Sequence, residues 1–457
     1  MIKPRTFDGR KILLTVHQFF PEHGSGTEVL TFSVARELMA RGYEVHVFTG
    51  YPSVPEIKEE ERFDEYEYEG IHVYRFHHAY TPMYGQTSMV ELSYDNNLAA
   101  KYFEQILERF KPELVHFFHL DRLGTGLIDL TVRAGISAFM TPTDYWLICP
   151  TAQMVLCNGS MCQGPSSYGG NCIKHLAEIS EKGLAGRLVK WLPTSLASLL
   201  ARLTQANVMP PYPQRGEIQA ISSRLEINMI RLNRLNGIVT PNRFMSEKLV
   251  QHGLSPHLVI ESAFGIDVDR NIVNATRRST RQPFRVGYIG TLATYKGCHI
   301  LIEAFKALPV GQAILKIYGR MDDFPDYSSS LKRLAENNEA IEFCGTFHNS
   351  KIGEVLADLD VLVVPSLWYE NTPLVVYSAQ AARCPVVASD FPGLSAVIHD
   401  QVNGLLFEAG NPAALAKQLS RLINEPDLAE RLSANSQQPK STSSYVDELL
   451  NIWKGHK

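Results

Sequence analysis

Short apolar segments recur along this chain with helix-length stretches between them, in two separate series. The first places strand-like runs at 11–16, 45–47, 71–76, 114–118, 137–141, 237–240 and 258–261. The second, from Phe284 onward, places them at 285–289, 314–318, 341–343, 361–364 and 386–388. Runs apolar on both faces fit parallel strands covered on both sides, and parallel strands need helical crossovers between them. The intervening stretches supply these. Residues 98–110 read as a helix, Leu30, Val34 and Leu38 recur at helical spacing, and Ile300, Leu301, Ala304, Phe305 and Leu308 form an amphipathic stripe. The chain is therefore expected to be α/β, with two doubly wound parallel sheets. Its 457 residues suffice for two or three domains.

Composition excludes several classes. An apolar share of 45% and a charged share of 20% are those of a globular body. The 44 basic residues against 48 acidic ones, a net charge of -4, argue against a general nucleic-acid binder. No run approaches the ~18 apolar residues of a membrane span. The polar start, residues 1–10, lacks the sections of a secretory signal, so a cytoplasmic chain is expected.

The rhythm of the first series breaks between about 149 and 236, and the polar stretch 266–282 reads as the joint between the halves. The expected organisation is a first domain over 1–265 carrying an insertion at about 149–236, a second over 266–432, and a terminal segment, 433–457, ending in a helix.

In open α/β sheets ligands sit beyond the carboxyl ends of the strands, so the residues there were read most closely. The loop Gly24-Ser25-Gly26 follows the first strand and opens a helix, where backbone N–H groups attract an anion unless the glycines merely make the turn. Gly290-Thr291-Leu292-Ala293-Thr294-Tyr295-Lys296-Gly297 follows the first strand of the second series. Lys296 there is either a point charge for a phosphate or a solvated surface lysine. Trp368-Tyr369-Glu370-Asn371-Thr372-Pro373-Leu374 places Pro373 as the first residue of a helix, with Asn371 or Thr372 as N-cap and Glu370 beside its positive end. A carboxylate takes hydrogen bonds from vicinal hydroxyls and a helix start takes phosphate. Together they suit a sugar joined to a diphosphate; the alternative is that Glu370 simply complements the helix dipole.

This order of motifs, with Cys384-Pro385-Val386-Val387-Ala388-Ser389 after the last, resembles the retaining glycosyltransferases of family 4, the "group 1" glycosyltransferases. The resemblance covers nearly the whole chain outside the insertion. It implies a GT-B fold, two Rossmann-like domains facing across a cleft. A nucleoside-diphosphate sugar of UDP or GDP type would bind the second domain and a glycan, lipid-linked or small hydroxyl acceptor the first. It also implies transfer without a catalytic metal and a final helix that returns to the first domain. Carried over by position, Lys296 matches the lysine on the diphosphate, Glu370 the glutamate that holds the transferred sugar, and Asn371, Thr372, Pro373 and Leu374 the phosphate-binding helix start. Gly26 and Gly290 match the two glycine loops. His119 falls near the family's cleft histidine, with His116 the alternative register, and Asp144 matches its acidic residue at the acceptor side. Two positions depart: Thr291 stands where the family has arginine, and Ser378 where it has the glutamate that grips ribose. These departures motivate the alternatives, a catalytically weak nucleotide-sugar-binding subunit or an epimerase on the same fold.

The insertion carries Cys149, Cys157, Cys162, Cys172 and His175, a set that fits a structural zinc site, buried free thiols or a disulfide. Downstream, Leu184, Leu188, Trp191, Leu192, Leu196, Leu199, Leu200 and Leu203 lie among Arg187, Lys190 and Arg202. That pattern fits packing on the first domain, and also a peripheral contact with the inner face of a membrane.

Overall fold

Eight strands build the first sheet: β1 (Lys11–Val16), β2 (Glu44–Pro52), β3 (Phe63–Tyr68), β4 (Ile71–His78), β5 (Leu114–Phe117), β6 (Ser137–Met140), β7 (Gly237–Thr240) and β8 (Val259–Glu261). They lie in the order β3-β4-β2-β1-β5-β6-β7-β8. All pair in parallel except β3, which runs antiparallel to β4. Six strands build the second: β9 (Phe284–Ile289), β10 (Ala313–Tyr318), β11 (Ile341–Gly345), β12 (Val361–Val364), β13 (Val386–Ser389) and β14 (Leu405–Phe407), all parallel, in the order β11-β10-β9-β12-β13-β14. The computed structural model describes residues 9–180, 189, 191–267 and 283–455. The chain divides into one unit of Met1–Ala263 with Ser443–Lys457, and another of Phe264–Thr442.

Each sheet has a point where the winding reverses. In the first unit Ile12 of β1 pairs with Val45 on one side and Leu114 on the other. In the second, Val286 of β9 pairs with Leu315 and with Val361. The two loops leaving such a strand pair diverge to opposite faces and leave a crevice beyond the strand ends. The loops after β1 and β5 flank it in one unit, and those after β9 and β12 in the other.

Two strands are absent from the sequence-based expectation. Residues 63–68 mix aromatic and acidic side chains, a half-exposed edge pattern and not the apolar run of a buried strand. Glu69 (φ 46°) and Gly70 (φ 79°) then supply the two left-handed residues of a tight hairpin. The other is β14, a run of only three residues.

Within the insertion, the helix expected near 184–203 starts afresh after Pro193 as Thr194–Gln205. It buries Ala197, Ala201 and Thr204, while Leu196 and Leu199 stay exposed, as does Trp191 at 82%. Leu184, Arg187, Leu188 and Lys190 lie outside the described residues, as does 268–282 of the joint. A further helix, Arg215–Leu232, escapes a hydrophobic-periodicity reading because its buried face includes Arg224 and Asn228. No helix among the described residues is long and apolar enough to cross a membrane.

The last helix, Thr442–Trp453, packs on the first unit with Tyr445, Val446, Leu449 and Trp453 buried. Trp453 Nε1 donates to Nδ1 of His116 at 3.2 Å, so the His116 hydrogen sits on Nε2 and faces Thr141 Oγ1 at 2.9 Å. A second proton on that ring would confront the indole N–H. Burial holds both His116 and His78 down at about 3. Below the ordinary histidine value of about 6.5 the unfolded chain takes protons that the folded chain refuses, so stability falls with pH. For these two residues the expected loss at pH 5.5 is roughly 2–3 kcal/mol relative to pH 7.5, read from urea midpoints. A His116→Phe or His78→Phe variant should flatten the slope, and an unchanged slope would contradict the assignment.

Candidate active site

In the second unit, the crevice between β9 and β12 is built by two loops locked together. Gly297 has φ 72°, and a Cβ there would lie 1.8 Å from the carbonyl oxygen of Pro365. Only glycine allows the lysine turn to sit this close to the loop after β12. Leu367 N donates to Tyr295 O at 2.7 Å, closing the same contact. Lys296 is thereby carried over the Trp368 ring, with its Nζ 4.8 Å from the centroid.

Glu370 is the centre of this crevice. Its Oε1 accepts from Lys296 Nζ at 2.7 Å, Ser366 Oγ at 2.6 Å and Trp368 Nε1 at 2.7 Å. A nearly buried carboxylate with three donors on one oxygen is held in a single orientation, with its charge matched by the lysine. The bonds all converge on Oε1, which leaves Oε2 the oxygen suited to a ligand hydroxyl. Ser366 and Trp368 are site residues that motif matching passed over. Trp368 stood inside the quoted segment, but nothing in spacing alone shows that its N–H turns back onto Glu370.

The helix after Glu370 begins one residue later than expected. It runs Leu374–Ala381 with Pro373 as N-cap, not Asn371 or Thr372. Thr372 instead takes φ 61° and donates Oγ1 to Gly393 O at 3.1 Å. A Cβ on Gly393 would fall 1.6 Å from Glu370 O, so this second glycine fixes the loop from below. Asn371 is buried beside it. Thr291 accepts Tyr288 Oη on its carbonyl at 2.7 Å, and Gly290 N is tied to Tyr318 O. Ser378 Oγ donates to Leu374 O of its own helix at 3.1 Å, so its hydrogen is already engaged and only lone pairs remain for a ligand.

In the first unit, the crevice between β1 and β5 gathers His119, Asp144 and Gly26. His119 Nε2 lies 3.0 Å from Asp144 Oδ2, and Asp121 N donates to His119 Nδ1 at 3.1 Å. The imidazole hydrogen therefore points at Asp144. Burial would lower this histidine, but Asp144 and its hydrogen bond outweigh that and hold it above the ordinary value. His116 is the core residue described above, bonded to Trp453 and Thr141. Asp144 is itself held by Trp146 N on Oδ1 at 2.8 Å. The loop behind it is propped by the insertion helix, where Arg224 donates to Trp146 O and Asn228 to Leu147 O at 3.0 Å. Thr27 Oγ1 donates to Thr143 Oγ1 at 2.9 Å, tying the start of helix Gly26–Ala40 to the same loop. A Cβ on Gly26 would meet nothing within 4 Å, so that helix start borders open space. His17 and Glu28, neither marked by any motif, stand behind His119, with the His17 and His119 ring centroids 4.2 Å apart.

Of the three states open to the cysteines, the structure shows free thiols. All seven cysteines are free, with Cys157 exposed. Cys149, Cys162, Cys172 and His175 do line one small cavity. Among the described residues, however, no group of three or more His, Cys, Asp or Glu side chains is arranged to hold a metal ion. Asn171 occupies the middle instead, with Nδ2 3.7 Å from Cys162 Sγ and Oδ1 accepting from Cys172 Sγ at 3.6 Å. Burial lifts the Cys172 thiol to about 12.

Residues 271–438 match the family model "Glycosyl transferases group 1", and residues 24–144 match "Glycosyltransferase Family 4". An uncharacterized glycosyltransferase of Methanocaldococcus jannaschii is 29% identical over 172 residues, 36% of this chain and 44% of that protein. The amylovoran biosynthesis glycosyltransferase AmsK of Erwinia amylovora is 26% identical over 206 residues, 42% of this chain and 49% of its own length. The chain thus spans less than half the length of these curated relatives. Among solved structures, HepE of Anabaena in complex with UDP and glucose is similar with a TM-score of 0.61 at 16% identity, over 97% of this chain and 99% of that one. That likeness shows a shared fold.

Proposed function

Since this chain belongs to the group 1 glycosyltransferases, with the two Rossmann-like units of the GT-B fold, we propose that it moves a sugar from a nucleoside diphosphate to a hydroxyl acceptor with retention at the anomeric carbon. The observation that carries this reading is Glu370, fixed by Lys296, Ser366 and Trp368 at the mouth of a helix. The free oxygen receives a sugar hydroxyl. Lys296 and the backbone N–H groups opening Leu374–Ala381 meet the diphosphate as negative charge grows on it during bond breaking. No protein nucleophile is needed if the acceptor enters on the face the diphosphate leaves. In the first unit His119 orients the sugar, and Asp144, which the imidazole holds in place, takes the acceptor hydroxyl.

UDP is the nucleotide favoured first, because UDP and glucose are named in the HepE complex, and a role in surface-polysaccharide assembly follows the same kind of likeness to AmsK. The outward Trp191, Leu196 and Leu199 beside Arg202 fit a cytoplasmic protein resting on an anionic bilayer. One observation favours a second reading, a binding subunit of weak activity: Thr291 brings no charge and the Ser378 hydroxyl is engaged within its helix. A thermal-shift screen of uridine, guanosine and adenosine diphosphate sugars, followed by turnover assays, separates the two. A ligand present at 100 times its Kd adds about 2.7 kcal/mol of stability, a rise of a few degrees in Tm. Stabilisation with hydrolysis or transfer supports the transferase, stabilisation alone supports the subunit, and no response to any donor contradicts both.

A further inference from the structure

The second unit holds its lysine in a bond that already balances its charge. Lys296 Nζ lies 2.7 Å from Glu370 Oε1, and the carboxylate side chain is only 4% exposed. A diphosphate carries a negative charge on each phosphate. A lysine neutralised in this way, with an uncharged Thr291 beside it, leaves much of that charge unmatched. The N–H groups opening Leu374–Ala381 add only the partial charge of a helix end. The site calls for a second cation.

Along the loops that leave β9, β10 and β12, residues 290–297, 319–324 and 365–373, the lysines and arginines are Lys296 and Arg320. β9 and β10 are parallel neighbours with Ile289 paired to Tyr318, so their loops leave the sheet side by side. Gly290 N donates to Tyr318 O at 3.0 Å and Gly319 N to Gly345 O at 2.9 Å, which carries the ladder past the strand ends. Gly319 is pressed onto the β9 loop: a Cβ on it would fall 2.4 Å from Gly290 O and 2.8 Å from Leu292 Cγ. Glycine at 319 thus brings the backbone of Arg320 next to Gly290 and Thr291. The Arg320 ion pair with Asp323, Nε to Oδ1, is 3.9 Å long between side chains 51% and 45% exposed. Such a pair contributes little and is exchanged for a closer anion at small cost. The planar donor fork of a guanidinium fits phosphate oxygens.

We propose that Arg320 is the second cation for the diphosphate, exchanging Asp323 for the phosphates when the nucleotide enters beside Gly290 and Thr291. The inference rests on the donor site proposed above and adds a binding residue to it. The charge that Thr291 does not bring comes from the neighbouring strand end, across the contact of Gly290 with Gly319. Asp323 holds the guanidinium until the nucleotide arrives, and so competes with it.

The experiment is titration calorimetry of the full chain with UDP, GDP and ADP at several salt concentrations. For whichever diphosphate the parent binds, Arg320→Ala should weaken binding by about tenfold or more. It should also flatten the fall of affinity with added salt, since one charge fewer meets the phosphates. Adding Thr291→Arg to Arg320→Ala should restore most of the loss by placing a guanidinium on the adjoining loop. Asp323→Asn removes the competitor and should tighten binding by up to about fivefold. Lys332→Ala, an exposed charge on helix Pro325–Leu334, should leave affinity within about twofold. Equal affinity of parent and Arg320→Ala overturns the inference, as does an equal loss in Lys332→Ala, or a loss that neither salt nor Thr291→Arg alters. Failure of all three diphosphates to bind the parent would instead remove the proposed function, and this inference with it.

Discussion

Replacing Glu370 with glutamine is expected to reduce turnover of the donor sugar by about tenfold to a hundredfold, because each hydrogen bond from a ligand hydroxyl to a charged group contributes roughly 1.5–3 kcal/mol. Glutamine keeps the shape of the side chain, and its carbonyl still accepts from Ser366 or Trp368. It removes the charge that Lys296 faces across 2.7 Å. Alanine is the harsher change. It strands the lysine and leaves the Ser366 hydroxyl and Trp368 indole N–H without their acceptor, so part of its effect will be lower stability, of the order of 3–5 kcal/mol for breaking a largely buried pair. The two variants therefore need a Tm beside the rate. A glutamine variant that folds like the parent and turns over donor at the parental rate would remove Glu370 from the chemistry.

Much of this second-unit site was legible because each of its parts directly follows a strand at the point where the sheet's winding reverses. Lys296 follows β9 and Glu370 follows β12, and a doubly wound sheet brings those two loops together whatever the details between them. What remained illegible depends on rotamers and loop crossings. That Pro373 caps the helix instead of opening it follows from the left-handed Thr372, and nothing in Asn371-Thr372-Pro373 announces φ 61° there. That Lys296 bonds the very carboxylate it was expected only to neighbour follows from Gly297 passing within contact of Pro365. In the first unit the limit is different. His119 and Asp144 are separated by 25 residues and were assigned separate tasks, and it is the pairing of β5 with β6 that sets them 3.0 Å apart. The helix behind them, Arg215–Leu232, was hidden because it buries an arginine and an asparagine to hold backbone carbonyls of the Asp144 loop.

That pairing makes the second large prediction. His119→Ala should lower the rate of transfer by about a hundredfold, the size of loss that misplacing reacting groups produces, because it removes the ring that orients the sugar and holds Asp144. Asp144→Asn tests the reason. Asp144 raises His119 against the opposing effect of burial, so the asparagine variant should titrate its His119 at lower pH than the parent. If transfer requires the neutral imidazole, the acid limb of the pH–rate curve should move down in pH with it. Stability must move the other way along the pH axis. A histidine whose folded pKa is raised adds stability that is complete below the unfolded value of about 6.5 and is lost as pH rises through the folded one. The parent should therefore exceed Asp144→Asn in stability most clearly near pH 5–6, with the gap narrowing in alkaline solution as the charge on His119 is shed from both states. A gap that widens toward alkaline pH would mean that the aspartate serves His119 in some way other than by its charge.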